Sequence, residues 1–321
     1  DYGRWHYLEI WTKILRLFKQ MIKEMKIENK FLKNEPMSKH TSYRIGGPAK
    51  IFFTPANRDE LIQGLEFSKS NKMNIFFIGS GSNLLVSDQG INGMVISIKK
   101  SFRNFSIKNT RVFAETGTML GRIVNSTIKE GLTGLESLVG VPGTLGGALI
   151  MNAGAYGSEI SNYLKTVEVV TKEGIIKKYQ SDDMKFSYRN SNFSDEEILI
   201  SAEFELNKAN KEEINKKKIH ANKGRRSSQP LKFRSAGSVF KNPKEGPAGY
   251  FIEKAGLKGL RSGNAEISKK HANFFINYGD AKAEDLVKLI LTAKKSVKKL
   301  FNINLELEIQ TLGFKKGTFE L

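Results

Sequence analysis

The stretch from Leu138 to Gly157, LVGVPGTLGGALIMNAGAYG, has no charged side chain in a chain that is 26% charged, and six of its residues are glycine. No other feature constrains the fold as strongly. Glycine permits left-handed backbone and lets N–H groups approach a ligand closely, while apolar neighbours exclude water. The run therefore reads as backbone laid against something large, flat and partly anionic. A membrane span does not fit, because Pro142, Asn152 and the glycines interrupt the apolar run.

A second uncharged glycine segment, Gly79-Ser80-Gly81-Ser82-Asn83-Leu84, follows the apolar run Ile75–Ile78. A strand feeding such a turn offers successive N–H groups and hydroxyls, which suits a pyrophosphate. A tight hairpin turn is an equal reading of GSGSN alone. The Rossmann fingerprint fails at Leu84, where it requires glycine, and no GxxxxGK[ST] occurs. Two such loops well apart point to a dinucleotide-sized ligand, FAD held in a non-Rossmann manner.

At 321 residues the chain has room for two domains, or one plus a sizeable lobe. The net charge of +19 raises a nucleic-acid hypothesis, but lysine is spread along the chain rather than gathered in a patch. The densest runs, Lys208 to Lys218 and Lys294 to Lys299, have helix-like spacing and read as solvated faces. With no cysteine, disulfides, thiolate catalysis and Cys-ligated metals are excluded, in agreement with a reducing compartment. His6, His40, His220 and His271 never fall at metal-ligand spacing, so no metal is expected.

Residues 1–30 read as an amphipathic basic helix that packs on its own domain, and charges interrupt its apolar run, so it does not read as a signal peptide. A β-α-β pattern follows over 41–98, with its helix at 59–70. Strands RVFAETG, TVEVVT and EILISAEFEL and a helix near 119–130 come next. A polar helical connector (208–223) leads to a basic loop (225–234), then a strand-like GSVF, helices near 249–255 and 283–300, a strand NFFINY and a last strand LELEIQTLG. The basic residues Arg225, Arg226, Lys232 and Arg234 suit phosphates, though an exposed loop explains them as well. In a strand, Glu306 and Glu308 share one face, and only a partner such as Arg189 makes such a glutamate a candidate acid. Ser238, in SAGSVFKNP, has no GxSxG elbow and no histidine nearby, which argues against a hydrolase.

Seven segments together resemble the UDP-N-acetylenolpyruvoylglucosamine reductase (MurB) family. They are TSYRIGGPA (41–49), GSGSNLL (79–85), GLESLVGVPGTLGGALIMNAGAYG (134–157), SYRNSNF (187–193), SAGSVFKNP (235–243), AGLKGLRSGNAEISKKHANFFIN (255–277) and LELEIQ (305–310). Order and spacing hold from about residue 25 to 313, and seven in register make coincidence implausible. The resemblance implies an α+β fold: a PCMH-type FAD-binding region over 31–208, with subdomains of about 31–101 and 102–208, and a substrate-binding lobe over 209–321.

It also implies reduction of UDP-N-acetylglucosamine enolpyruvate to UDP-N-acetylmuramate in peptidoglycan precursor synthesis, by hydride from NADPH through flavin N5 to C3. By motif match Arg189 binds the substrate carboxylate, Ser238 donates a proton to C2, and Glu308 is the supporting acid. Arg189 nearby favours an ionised Glu308 and burial favours the neutral form, and the sequence does not choose between them. The cofactor-binding positions implied are Gly79, Ser80, Gly81, Ser82, Asn83, Leu84, Gly117, Gly140, Val141, Pro142, Gly143, Thr144, Gly146, Gly147, Ala153 and Gly154. Tyr156, Tyr188, Lys241, Asn242 and His271 are the implied substrate contacts, His271 reading equally as a surface residue after two lysines.

NADPH and the UDP-sugar nucleotide would share one pocket in a cytoplasmic monomer without stable membrane association. The short span between Asn192 and Lys223 resembles the branch lacking a tyrosine-bearing loop, and Leu307 stands where proline is common, which predicts a more regular last strand. Two alternatives are another PCMH-type flavoprotein and a basic nucleic-acid-binding module. Ser238 with Arg189 and Glu308 argues against the first, and the lack of a basic recognition helix against the second.

Overall fold

The structure, a computed structural model, describes residues 12–13 and 27–321. The helix expected over 1–30 lies outside the described residues except at these few positions. Ile27 is already buried in the first core.

The first layer is a four-stranded sheet flanked by one helix. Strands β1 (Leu32–Pro36), β2 (Pro48–Phe53), β3 (Ile75–Ile78) and β5 (Ile91–Ser97) take the order β1-β2-β5-β3, while β4 (Leu84–Val86) leaves this sheet for another partner. β2 and β3 both run parallel to β5, so α1 (Arg58–Ser70) makes the expected β-α-β crossover over the strand between them. Asn57 starts α1 by accepting the Glu60 amide at 3.0 Å, and Asp59 and Glu60 complement its positive end. Leu61 and Leu65 then fall on one face, against Phe53, Met94 and Ile96. Because β3 pairs with β5 and β4 pairs elsewhere, the GSGSN segment is not a hairpin turn.

The second layer is an antiparallel sheet of β6 (Phe105–Lys108), β7 (Arg111–Glu115), β8 (Leu164–Thr171), β9 (Ile176–Gln180) and β10 (Glu197–Glu205), in the order β9-β8-β10-β7-β6. β10 is central and buried on both faces, which explains its near-continuous apolar text. Ile198 and Ile200 join the first core, whereas Leu199, Ala202 and Phe204 join the second. Helices α2 (Leu120–Lys129), α3 (Leu145–Ile150) and α4 (Lys211–Ser228) cover the second core.

α4 extends through Arg225 and Arg226, which the sequence placed in a loop. Asn210 caps its start, Glu212 and Glu213 lie in its first turn, and the two arginines complement its C-terminal end. Ile214 and Ala221 of α4, which follow the expected boundary at 208/209, belong to the second core.

The C-terminal lobe packs α5 (Ala248–Lys254) and α6 (Ala283–Phe301) with a small antiparallel sheet of β11 (Arg261–Ser262), β12 (Ala265–Ile267) and β13 (Phe275–Asn277). Its core also takes Tyr43, Ile45 and Leu85 from the N-terminal half. The last strand, β14 (Gln310–Leu312), runs parallel to β4, pairing Gln310 with Leu84 and Leu312 with Val86. No helix among the described residues is long and apolar enough to cross a membrane.

Two strand expectations fail here. GSVF makes only single bridges, Ser238 to Phe274 and Phe240 to Leu307, and LELEI is irregular up to Gln310. Leu307 therefore does not regularise the last strand. Glu306 and Glu308 consequently do not share an environment, their side chains being 79% and 16% exposed.

Candidate active site

The two uncharged loops meet. A Cβ on Gly79 would lie 2.2 Å from the Thr144 hydroxyl, and one on Gly143 would lie 3.1 Å from Ser82 Oγ. The Ser82 hydroxyl itself donates to the Pro142 carbonyl at 3.4 Å. Gly81 has φ +65°, and its Cβ would sit 2.0 Å from the His40 carbonyl. Residues 116–118 join this seam through the amides of Leu145 and Gly146, which donate to the Thr118 and Thr116 carbonyls at 2.8 and 3.0 Å. Gly117 is explained by backbone packing, since its Cβ would strike the Ile98 and Ser101 carbonyls.

Ser80 Oγ and Thr118 Oγ1, both buried along the seam, have no hydrogen-bond partner among the described residues. Buried hydroxyls left unpaired are costly, and a hydrogen-bonding group seated at this seam would pair them. An uncharged seam of hydroxyls and close-packed backbone fits the diphosphate and ring of FAD. Gly140 at φ +75° faces Arg225, the Cβ it lacks being 3.5 Å from Arg225 Cδ. Val141 packs against the second core, as does Ala153, at the far end of the run.

From Gly154 onward the run meets titratable groups. Arg189 occupies the second turn position of a hairpin in which Ser187 pairs with Asn190, at φ +56°. Its Nε donates to Glu308 Oε1 at 2.9 Å and its Nη2 to the Gly154 carbonyl at 3.1 Å. The guanidinium lies 5.1 Å from the Tyr188 ring centroid. Buried Asn152 holds this hairpin, donating to the Ser187 carbonyl at 3.1 Å and to Glu159 Oε2 at 2.7 Å.

Burial raises the Glu308 carboxyl above the ordinary glutamate value, and the opposing Arg189 charge and hydrogen bond do not cancel it. The balance left open by the sequence thus falls toward the neutral acid. Glu308 is bound through its backbone too, its amide donating to the Val239 carbonyl at 2.8 Å. That bond sets it beside the segment carrying Ser238. Asn273 fixes the same segment: its amide side chain bonds both backbone groups of Phe240, at 3.0 and 2.8 Å, and its carbonyl accepts the Val239 amide at 2.8 Å. Arg189 and Glu308, far apart in the chain, are therefore paired, and the Glu308 backbone is bonded to the residue that follows Ser238.

The remaining expected contacts divide. Tyr188 borders the cluster and accepts the Asn242 amide at 3.4 Å. Lys241 Nζ lies 4.0 Å from Glu306, and its charge also reaches Glu308. Asn242 uses Oδ1 to accept the Ala248 amide at 3.0 Å at the start of α5. Tyr156 turns to α4, donating to the Ala221 carbonyl at 3.1 Å and packing edge-on to His220.

His271 is half-buried against Phe274, with Nδ1 accepting the Asn273 amide at 3.2 Å, which sets aside the surface reading. Burial pushes its pKa down, and the Lys258 charge adds to the shift. Sequence reasoning missed Asn152 and Asn273 as supports; a polar residue inside the apolar run HANFFIN was the available signal for the latter. It also misplaced Arg225, whose pKa burial pushes down on α4, near Tyr156 and Arg189.

Two family models match the chain: an FAD binding domain over residues 49–179, and the C-terminal domain of UDP-N-acetylenolpyruvoylglucosamine reductase over 229–312. The chain is 44% identical over 295 residues to the UDP-N-acetylenolpyruvoylglucosamine reductase of Caldanaerobacter subterraneus, spanning 92% of this chain and 97% of that protein. The reductase of Caldicellulosiruptor bescii is 45% identical over 299 residues, spanning 92% and 94%. Among solved structures, the reductase from Thermus caldophilus superposes with a TM-score of 0.76 at 34% identity, over 87% of this chain and 97% of that one. With an FAD-binding region joined to a reductase C-terminal domain and this identity along nearly its whole length, the chain belongs to the UDP-N-acetylenolpyruvoylglucosamine reductase family.

Proposed function

We propose that this enzyme reduces the enolpyruvyl group of UDP-N-acetylglucosamine enolpyruvate to the lactyl ether of UDP-N-acetylmuramate, with NADPH as the source of electrons. The observation that carries this reading is the Arg189–Glu308 pair, held beside the Ser238 segment at the end of the uncharged cleft. When bound, FAD supplies the hydride that adds at C3, having taken it from NADPH. Saturating the double bond then needs one proton at C2, and charge develops there and on the adjacent carboxylate.

Arg189 binds that carboxylate and stabilises the enolate-like charge. The arriving carboxylate also favours a neutral Glu308, since a second negative charge beside Arg189 is disfavoured. Ser238 gives its hydroxyl proton to C2. A serine is a weak acid, and it suffices because the carbanion is a strong base and the hydroxyl is held at the reacting face. Two diphosphate ligands using one site in turn fits the basic side chains near it, Arg225 and Lys241.

Ser238→Ala tests the assignment. NADPH-driven flavin reduction is expected to persist, while reoxidation by the enolpyruvyl sugar nucleotide falls by about 10²- to 10⁴-fold, the usual contribution of a positioned acid. Stopped-flow absorbance at the flavin band separates the two steps. Equal loss in both would overturn the proton-donor role, and purified protein that takes up no flavin would overturn the whole reading.

A further inference from the structure

Consecutive residues of the GSGSN loop face opposite ways. Ser82 directs its hydroxyl to the Pro142 carbonyl, toward the glycine run. Asn83 instead donates its side-chain amide to the Glu308 carbonyl at 2.9 Å, across 225 residues of sequence. The Asn83 carbonyl accepts the Gln310 amide, also at 2.9 Å, and β4 and β14 then pair from Leu84 and Gln310 onward.

Glu308 is thus gripped from two sides: its N–H by Val239, the residue after Ser238, and its C=O by Asn83, the residue after Ser82. No regular strand holds it, since residues 302–306 and 308–309 lie outside the ladder and Leu307 makes a single bridge. Beside a burial-raised carboxyl, such a grip sets both where the acid points and how far water reaches it.

We propose that the Asn83 side chain is a positioning residue for Glu308, coupling the loop at the cofactor cleft to the acid that supports proton transfer. The inference rests on the reductase reading above. It assigns the Asn83 amide to the acid, leaving the Ser82 hydroxyl to face the glycine run. A group misplaced by about 1 Å can cost about 100-fold in rate. The effect belongs to the protonating step alone.

The test uses flavin-loaded protein with Asn83→Ala and, in case that variant does not fold, the shape-conserving Asn83→Asp, which presents a carboxylate to the Glu308 carbonyl. Substrate-driven reoxidation is expected to fall on the order of 10- to 100-fold more than NADPH-driven reduction. In a Glu308→Gln background, the same Asn83 change should add less than about a further twofold loss, because residues acting as a unit are not additive. Carbon-13 titration of the Glu308 carboxyl, assigned by its absence in Glu308→Gln, should show a midpoint moved down toward the ordinary glutamate value. Equal losses in both half-reactions, multiplicative losses in the double variant, or an unmoved carboxyl midpoint would each overturn the proposal. Failure of unaltered protein to be reoxidised by the enolpyruvyl sugar nucleotide would instead overturn the reductase reading.

Discussion

His271 shows how one ring nitrogen can support a site through its neighbours. Its Nδ1 accepts the Asn273 amide, and Asn273 in turn fixes Val239 and Phe240 next to Ser238. A protonated ring could not accept that amide, and the two charged groups felt by the ring are Lys258, which opposes protonation, and Glu253, which favours it. Because the folded-state value lies below that of the unfolded chain, the contribution to stability is complete above about pH 6.5 and is lost as pH falls through the folded value. The melting temperature should therefore decline on acidification below neutrality. His271→Asn, which offers an uncharged acceptor, should flatten that decline when both proteins are followed by circular dichroism. At this scale the sequence named Arg189, Glu308 and Ser238. It missed Asn273 because a buried amide that substitutes for a strand partner leaves no periodic trace.

The elements divide by how local their cause is. α1 and α6 fall within a residue or so of their expected bounds, since helical periodicity and capping are written along the chain. In α6, Leu286, Leu289, Ile290, Ala293 and Val297 trace one buried face. GSVF and LELEI have the alternation of strands and are not strands, because their only β-pairings among the described residues are isolated bridges, Ser238 to Phe274 and Phe240 to Leu307. The GSGSN loop is also held by contacts remote in sequence. Gly81→Ala should lower stability by at least about 1–3 kcal/mol, from its left-handed backbone alone. The added methyl also meets the His40 carbonyl. Thermal melting checks the loss, and flavin content after purification should fall with it, because the same loop faces Thr144 and Pro142 across the cleft.

At the scale of the whole molecule the C-terminal lobe is not self-sufficient. Tyr43, Ile45 and Leu85 complete its core, Asn277 holds the Tyr43 carbonyl at 2.8 Å, and among the described residues β14 pairs only with β4. A fragment of residues 229–321 should accordingly lack a cooperative melting transition by circular dichroism. In the full chain, Leu85→Ala should cost about 2–5 kcal/mol, as truncation of a fully buried leucine does. Flavin release and loss of helix should then coincide in one transition. This interlocking also fixes the place of Glu308 beside Arg189, because the chain returns from the lobe to β4 immediately after that residue.

Taken by itself, the sequence determined the cofactor class, through its uncharged loops, and the absence of any thiol. It determined the two long helices α1 and α6 and the strands of the two main sheets as well, because periodicity and caps act over a few residues. Only the tertiary structure decided that the two glycine loops face one another and that Arg225 lies on a helix beside Gly140. It alone decided that burial outweighs the adjacent arginine and raises the Glu308 carboxyl above the ordinary glutamate value. Desolvation and hydrogen-bond partnership depend on what folds around a side chain, and here those neighbours come from positions as far away as Asn83.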